Sequence, residues 1–170
     1  DALWLFPTVY KYVSETGNVD FIDEVIPFAN KDEGTVYEHL KRAIQFSMEH
    51  LGKHGMPAGL YADWNDCLRL GKDYAMTILK EFAAYEKDEE YISYLEKSQE
   101  ELGKLIEKLC WNEDRFIRGF TEAGEIIGQR TDPEANMWLN PQSWAVISGL
   151  ATKEQSELAL EQVYERLNTE

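Results

Sequence analysis

Hydrophobic positions along the chain fall mostly at helical spacing. Leu3, Trp4, Leu5, Phe6, Val9, Tyr10, Tyr12 and Val13 cover nearly the whole circumference of a helix, which predicts a first helix buried on all sides. Gly17 is positioned as its C-terminal cap. Asn18 opens a short second helix that would bury Phe21, Ile22 and Val25 and close at Pro27. Thr35-Val36-Tyr37-Glu38 has the form of a capping box, and Val36, Leu40, Ala43, Ile44, Met48 and Leu51 continue from it at helical spacing until Gly52. Further helices are predicted over residues 73–85 and from Asp88 through Leu109.

The period then changes. In RFIRGFTEAGEIIGQ, residues 115–129, Phe116, Ile117 and Phe120 precede EAGE, and Ile126 and Ile127 follow it, which predicts a small β-hairpin turning at Gly124. Beyond the polar loop TDPEAN, Asn140-Pro141 reads as a cap and first turn for a helix carrying Trp144, Val146 and Ile147. A second capping-box pattern, Thr152 to Gln155, opens a last helix with Leu158, Ala159, Val163 and Leu167. ETGNVDFIDEV at 15–25 echoes YEKDEEYISYL at 85–95, and the echo suggests stacked helical hairpins. The expected fold class is therefore all-α, about six helices arranged in pairs, with one small β-hairpin insertion.

Composition narrows the function classes. Hydrophobic residues make up 44% of the 170, enough for a core. No apolar run approaches the roughly 18 residues of a membrane helix. A formal charge of −15, from 32 acids and 17 bases, argues against nucleic acid and anionic lipid as partners. Two cysteines, Cys67 and Cys110, are too few for a disulfide framework, so cytoplasm is the default location. The start DALWLFP lacks the basic residues and cleavage site of a signal peptide, and with no initiating Met the chain reads as cut from a longer one.

The candidate chemistry is concentrated in GLYADWNDCLRLG, residues 59–71. Asp63 and Asp66, three apart, share a face if the segment makes one helical turn. Two like charges that close raise one carboxyl pKa, as a general acid working near neutral pH requires. Trp64 offers a plate against the C–H face of a sugar, and Asn65 offers directional hydrogen bonds for hydroxyls. The same residues are also common in caps and turns, and could simply open a short helix over Cys67, Leu68 and Leu70. His50 and His54 are four apart, but Gly52 interrupts them and no carboxylate completes a metal signature, so capping or surface roles are expected and no metal or cofactor. Arg118, Gln129 and Arg130 read as solvent-facing hairpin polarity, Trp138 and Trp144 as core aromatics, and Cys67 as a buried thiol without an activating partner. Gln142, where a loop enters a helix, suits either sugar hydroxyls or a cap.

Six stretches resemble, in order, the inverting glycoside phosphorylases of the cellobiose, chitobiose and cellodextrin phosphorylase family (glycoside hydrolase family 94, once classed with the glycosyltransferases). They are DALWL (1–5), YVSETGNVDFIDEVIPF (12–28), VYEHLKRAI (36–44), HGMPAGLYADWNDCLRLG (54–71), FIRGFTEAGEIIG (116–128) and LNPQSWAVISG (139–149). The resemblance implies an (α/α)6 barrel, of which this chain would form the N-terminal part, about half. It implies inverting phosphorolysis of a β-linked disaccharide or oligosaccharide of cellobiose or chitobiose type, giving a sugar 1-phosphate. Asp66 would be the catalytic acid, Trp64 a contact at the cleavage point, Asp63 a neighbour tuning Asp66 or holding a hydroxyl, and Asp1 a contact in the non-reducing-end subsite. Gln142 is carried as a further substrate contact. Inorganic phosphate is the co-substrate, held by residues outside this chain. Where that family continues past LRLG with a further loop, Gly71 is followed at once by Lys72-Asp73-Tyr74-Ala75, as if a segment near 71–73 were absent. A half barrel would leave apolar surface open to self-association and would be inactive alone. Two rival readings are an inverting hydrolase on the same barrel, which needs a second carboxylate, and a non-catalytic helical scaffold.

Overall fold

The computed structural model describes residues 2–58 and 71–168. Among these it is mostly helical, with six α-helices and three two-stranded antiparallel ladders. Helix α1 (Leu5–Thr16) follows a single 3-10 turn and ends on Gly17, whose φ of 68° is the left-handed conformation a Cβ would disfavour. Its backbone N–H donates to the Val13 carbonyl, closing the helix. α2 (Val36–Glu49) starts on Thr35 with both arms of the capping box formed, and α6 (Lys153–Leu167) repeats that device at Thr152 and Gln155. α4 (Glu89–Cys110) is capped by the Asp88 carboxylate, which accepts from the Tyr91 N–H.

α3 (Gly71–Tyr85) is the central helix. Ala75, Met76, Ile78, Leu79, Phe82 and Ala83 are all buried, more than one face of a helix, because α1, α2 and α4 each pack against it. α4 buries a single stripe, Leu95, Ser98, Leu102, Ile106 and Cys110, and turns charged i,i+4 pairs such as Lys104–Glu100 to solvent. α5 (Leu139–Ile147) and α6 pair with each other and lean on the strand Arg115–Phe116, joining the same core through Ala145.

Several expectations need correction. The first helix is not buried all round: Phe6 alone is buried, while Trp4, Leu5 and Tyr12 stand 48%, 45% and 43% exposed. The second short helix is a 3-10 turn, Val19–Asp23, and Val25 lies outside it in strand β1 (Val25–Pro27), which pairs with β2 (Glu33–Thr35). That ladder leaves no pattern in the sequence, because Val25 and Ile26 are both exposed and show no alternation. The echo between 15–25 and 85–95 therefore opens a full helix only in its second copy. The single expected hairpin is two ladders, β3 (Trp111–Asn112) with β4 (Arg115–Phe116), and β5 (Gly119–Phe120) with β6 (Ile126–Ile127), the latter turning at Gly124 with φ 94°. α5 begins earlier than Asn140, with Trp138 as an N-cap lacking a side-chain hydrogen bond. Pro141 still falls in the first turn, where its missing N–H costs nothing.

Candidate functional site

Asp63, Trp64, Asn65 and Asp66, with Cys67, lie outside the described residues, as does Asp1. What is described is the frame that holds the acidic segment at both ends. On the incoming side α2 ends at Glu49, and residues 50–58 form a tight turn. The Gly52 N–H donates to the Met56 carbonyl at 2.8 Å, the Ala58 N–H to the His50 carbonyl at 2.9 Å, and Leu51 bridges Pro57. Met56, 2% exposed, pins the turn into the core. On the outgoing side α3 starts at Gly71 and immediately buries Lys72 and Asp73, at 3% and 5% exposure.

Those two charges are unusual. The Lys72 ammonium reaches the Ser47 carbonyl at 3.5 Å, near the negative end of α2, and among the described residues it has no carboxylate within ion-pair distance. Burial pulls its pKa down from 10.5 to about 8. Burial also pushes the Asp73 carboxyl upward, opposed by a hydrogen bond from Gln99. The exit of the acidic segment thus carries a buried cation and a buried acid, each displaced from its ordinary titration range.

The histidines divide. His50 stacks on Phe46 at 3.9 Å, and its Nδ1 lies 2.8 Å from the Phe46 carbonyl, a helix-end role as expected. His54 is not a surface group: its ring lies against Phe120 of β5 at 4.4 Å, and its buried Nε2 has no hydrogen-bond partner among the described residues. Among the described residues no cluster of His, Cys, Asp and Glu could hold a metal ion.

Gln142 stands in the first turn of α5. It is fully buried and bridges the chain at Phe116, accepting from its N–H at 2.7 Å and donating to its carbonyl at 2.7 Å; a further donation goes to Trp138. With both amide hydrogens committed, its role here is to tie α5 to the β4 strand. Trp138, expected in the core, is 37% exposed with the Arg118 guanidinium 5.2 Å over its ring, so Arg118 covers an aromatic rather than merely facing solvent. Arg130 is solvent-facing and pairs with Glu113. The buried Arg115, bound in a fork by Asp114 and donating to the Asn136 carbonyl, is a structural ion pair that sequence periodicity did not single out.

Described residues of the six stretches meet in pairs. Trp144 of LNPQSWAVISG meets Trp4 of DALWL at 6.0 Å and Tyr74 at 5.9 Å. His39 of VYEHLKRAI donates from Nε2 to the Ile26 carbonyl, 3.0 Å away, with its ring against Phe28. His54, the first residue of the fourth stretch, packs on Phe120 of the β5–β6 hairpin.

A mostly helical chain with an acidic stretch between α2 and α3 is consistent with one family of catalytic domains: the catalytic domain of the glycosyl hydrolase 94 superfamily matches residues 1–170. The chain belongs to that family. It is 39% identical to the N,N'-diacetylchitobiose phosphorylase of Vibrio proteolyticus, over 98% of this chain and 22% of the relative. It is 36% identical to the enzyme of the same name from Vibrio furnissii, over 98% and 22%. To the solabiose phosphorylase of Paenibacillus borealis it is 30% identical, over 98% and 24%. The chain therefore spans about a fifth of the length of these Vibrio relatives.

Proposed function

We propose that this chain is the acid-bearing part of an (α/α)6-barrel catalytic domain that phosphorolyses a β-linked disaccharide or oligosaccharide with inversion. The observation that supports the reading is the match of the whole chain to the catalytic domain of the glycosyl hydrolase 94 superfamily, with relatives named as disaccharide phosphorylases and with Asp63-Trp64-Asn65-Asp66 lying in sequence between α2 and α3. Asp66 gives its proton to the glycosidic oxygen as the bond to the anomeric carbon breaks. A phosphate oxygen attacks that carbon from the opposite face, and the products are a sugar 1-phosphate of inverted configuration and the shortened saccharide. Phosphate arrives as an anion, so the reaction needs one protein carboxyl where an inverting hydrolase needs an acid and a base. Trp64 packs on the sugar at the cleavage point, Asp63 tunes Asp66 or holds a hydroxyl, and Asp1 lies in the non-reducing-end subsite. Phosphate is bound by residues outside this chain. Lys72 and Asp73, both buried, follow that segment in the sequence at the start of α3.

The test is a phosphorolysis panel on the full-length protein, using cellobiose and N,N'-diacetylchitobiose with Asp66→Asn as the paired variant. Loss of at least about a hundredfold in kcat, the scale of removing a general acid, with saccharide binding retained, is the expected result. Unchanged turnover would remove Asp66 from the role.

A further inference from the structure

A cleft of about 580 Å³ opens between α2 and the start of α4. Its volume is within the ~300–1,000 Å³ of small-molecule sites. It begins one helix away from the acidic segment: α3, 15 residues and so roughly 22 Å long, carries the chain from Gly71 to Tyr85, close to the Asp88 wall. Nothing in the reaction above uses it.

The walls decide what it can hold. On one side Tyr91 and Tyr94 stack with centroids 5.6 Å apart and planes 20° from parallel. Lys41 lies over Tyr91 at 4.7 Å and over Tyr37 at 4.9 Å, and its ammonium pairs with Asp88 at 3.2 Å. Asp88 also caps α4 and accepts from the Tyr37 hydroxyl. The seat for a cation is thus filled by the protein's own lysine. An anion would meet Glu49 and Glu90, both in the lining. What remains on offer is the Tyr94 ring, 42% exposed, an amide and carboxylate at the rim in the Gln45–Glu49 pair (2.8 Å), and the Glu90 carboxylate. An apolar ring face beside hydroxyl acceptors and an amide suits a neutral polyhydroxylated ligand with a C–H face.

We propose that the α2–α4 cleft is an accessory saccharide-binding site, with Tyr94 as the stacking platform and Glu49 and Glu90 accepting sugar hydroxyls. The site holds a longer substrate by a segment that is not being cleaved, or a second chain. The ligand class is read from the cleft walls, so this inference goes beyond the assignment of Asp66 and can fail without it.

The test is calorimetric titration of the full-length protein with cellotetraose and with tetra-N-acetylchitotetraose, alongside Tyr94→Ala and the exposed double variant Glu49→Gln/Glu90→Gln. Disaccharide turnover is followed in parallel, and Asp66→Asn serves as the catalytic control. Expected are a loss of affinity of at least fivefold for one tetrasaccharide in both cleft variants, unchanged kcat on the disaccharide, and cleft binding retained in Asp66→Asn. Tetrasaccharide affinity unchanged in the double variant, which alters no packed side chain, would overturn the proposal. So would the absence of any binding sensitive to either cleft variant. Neither result would touch the role of Asp66, which stands or falls on turnover.

Discussion

Lys72 shows how a single residue can oppose the fold that contains it. It is 3% exposed, reaches one carbonyl at 3.5 Å, and has its pKa lowered by burial to about 8. A lysine that titrates lower when folded than when unfolded holds fewer protons in the native state between about pH 8 and 10.5. Stability then rises with pH through that window, because the unfolded chain alone keeps the proton. Below pH 8 the ammonium is charged in both states and its burial cost is fully present. Lys72→Met should therefore stabilise the protein at pH 7 by on the order of 1 kcal/mol, the Ser47 bond offsetting part of the burial cost. The gain should shrink toward zero as pH is raised from 8 to 10.5, read from urea midpoints across that range. A gain independent of pH would mean that side-chain packing, not charge, is responsible. Legibility at this scale was uneven. The acidic segment stood out because four polar and aromatic residues crowd between two glycines. The contacts of His54 with Phe120 and of Gln142 with Phe116 are not legible, because these partners lie far along the chain and nothing local announces them.

Elements whose ends are closed by their own neighbours in sequence were legible, and those closed by tertiary contacts were not. Both capping boxes, the Asp88 cap and the left-handed Gly17 each need only residues within a turn. The β1–β2 ladder is held by the His39 ring at the Ile26 carbonyl and by the Val36 N–H to the Glu24 carbonyl, neither of which leaves a local pattern. Thr35 sits where the two cases meet, since it closes β2 and opens α2. Its hydroxyl accepts from the Glu38 N–H at 3.1 Å and its own N–H donates to the Glu38 carboxylate at 2.7 Å. Thr35→Ala removes the first of these and should cost about 1 kcal/mol, seen as a lower thermal midpoint. Thr35→Ser keeps the acceptor and should recover most of the loss. Equal losses in the two variants would assign the effect to the methyl group.

At the scale of the whole molecule, charge and apolar exposure pull in opposite directions. The chain carries a formal charge of −15, which repels a second copy. It also exposes large apolar side chains in quantity: Trp4, Leu5 and Tyr12 at α1, and Leu139, Ile147, Leu160 and Tyr164, at 44–70%, on α5 and α6. At α1 they are not scattered. Trp4, Pro7, Thr8, Lys11 and Tyr12, at helical spacing, line one open groove of about 510 Å³. A face of that kind marks a surface that packs against something. The curated relatives are more than four times as long as the stretch matched here, so their remaining length can supply such a cover. The 170 residues taken alone should therefore pair with themselves and should release no sugar 1-phosphate from cellobiose or N,N'-diacetylchitobiose. Sedimentation velocity distinguishes the two forces: apolar association strengthens as salt screens the like charges, within a Debye length of ~3 Å at 1 M, whereas association through ion pairs weakens. The expected outcome is a sedimentation coefficient that increases with both protein concentration and salt, and that falls back to the monomer value in Tyr12→Glu, which puts a charge on the α1 groove. A monomer at every salt concentration would mean that electrostatic repulsion outweighs the exposed face, and that the groove on α1 is too shallow to hold a second copy.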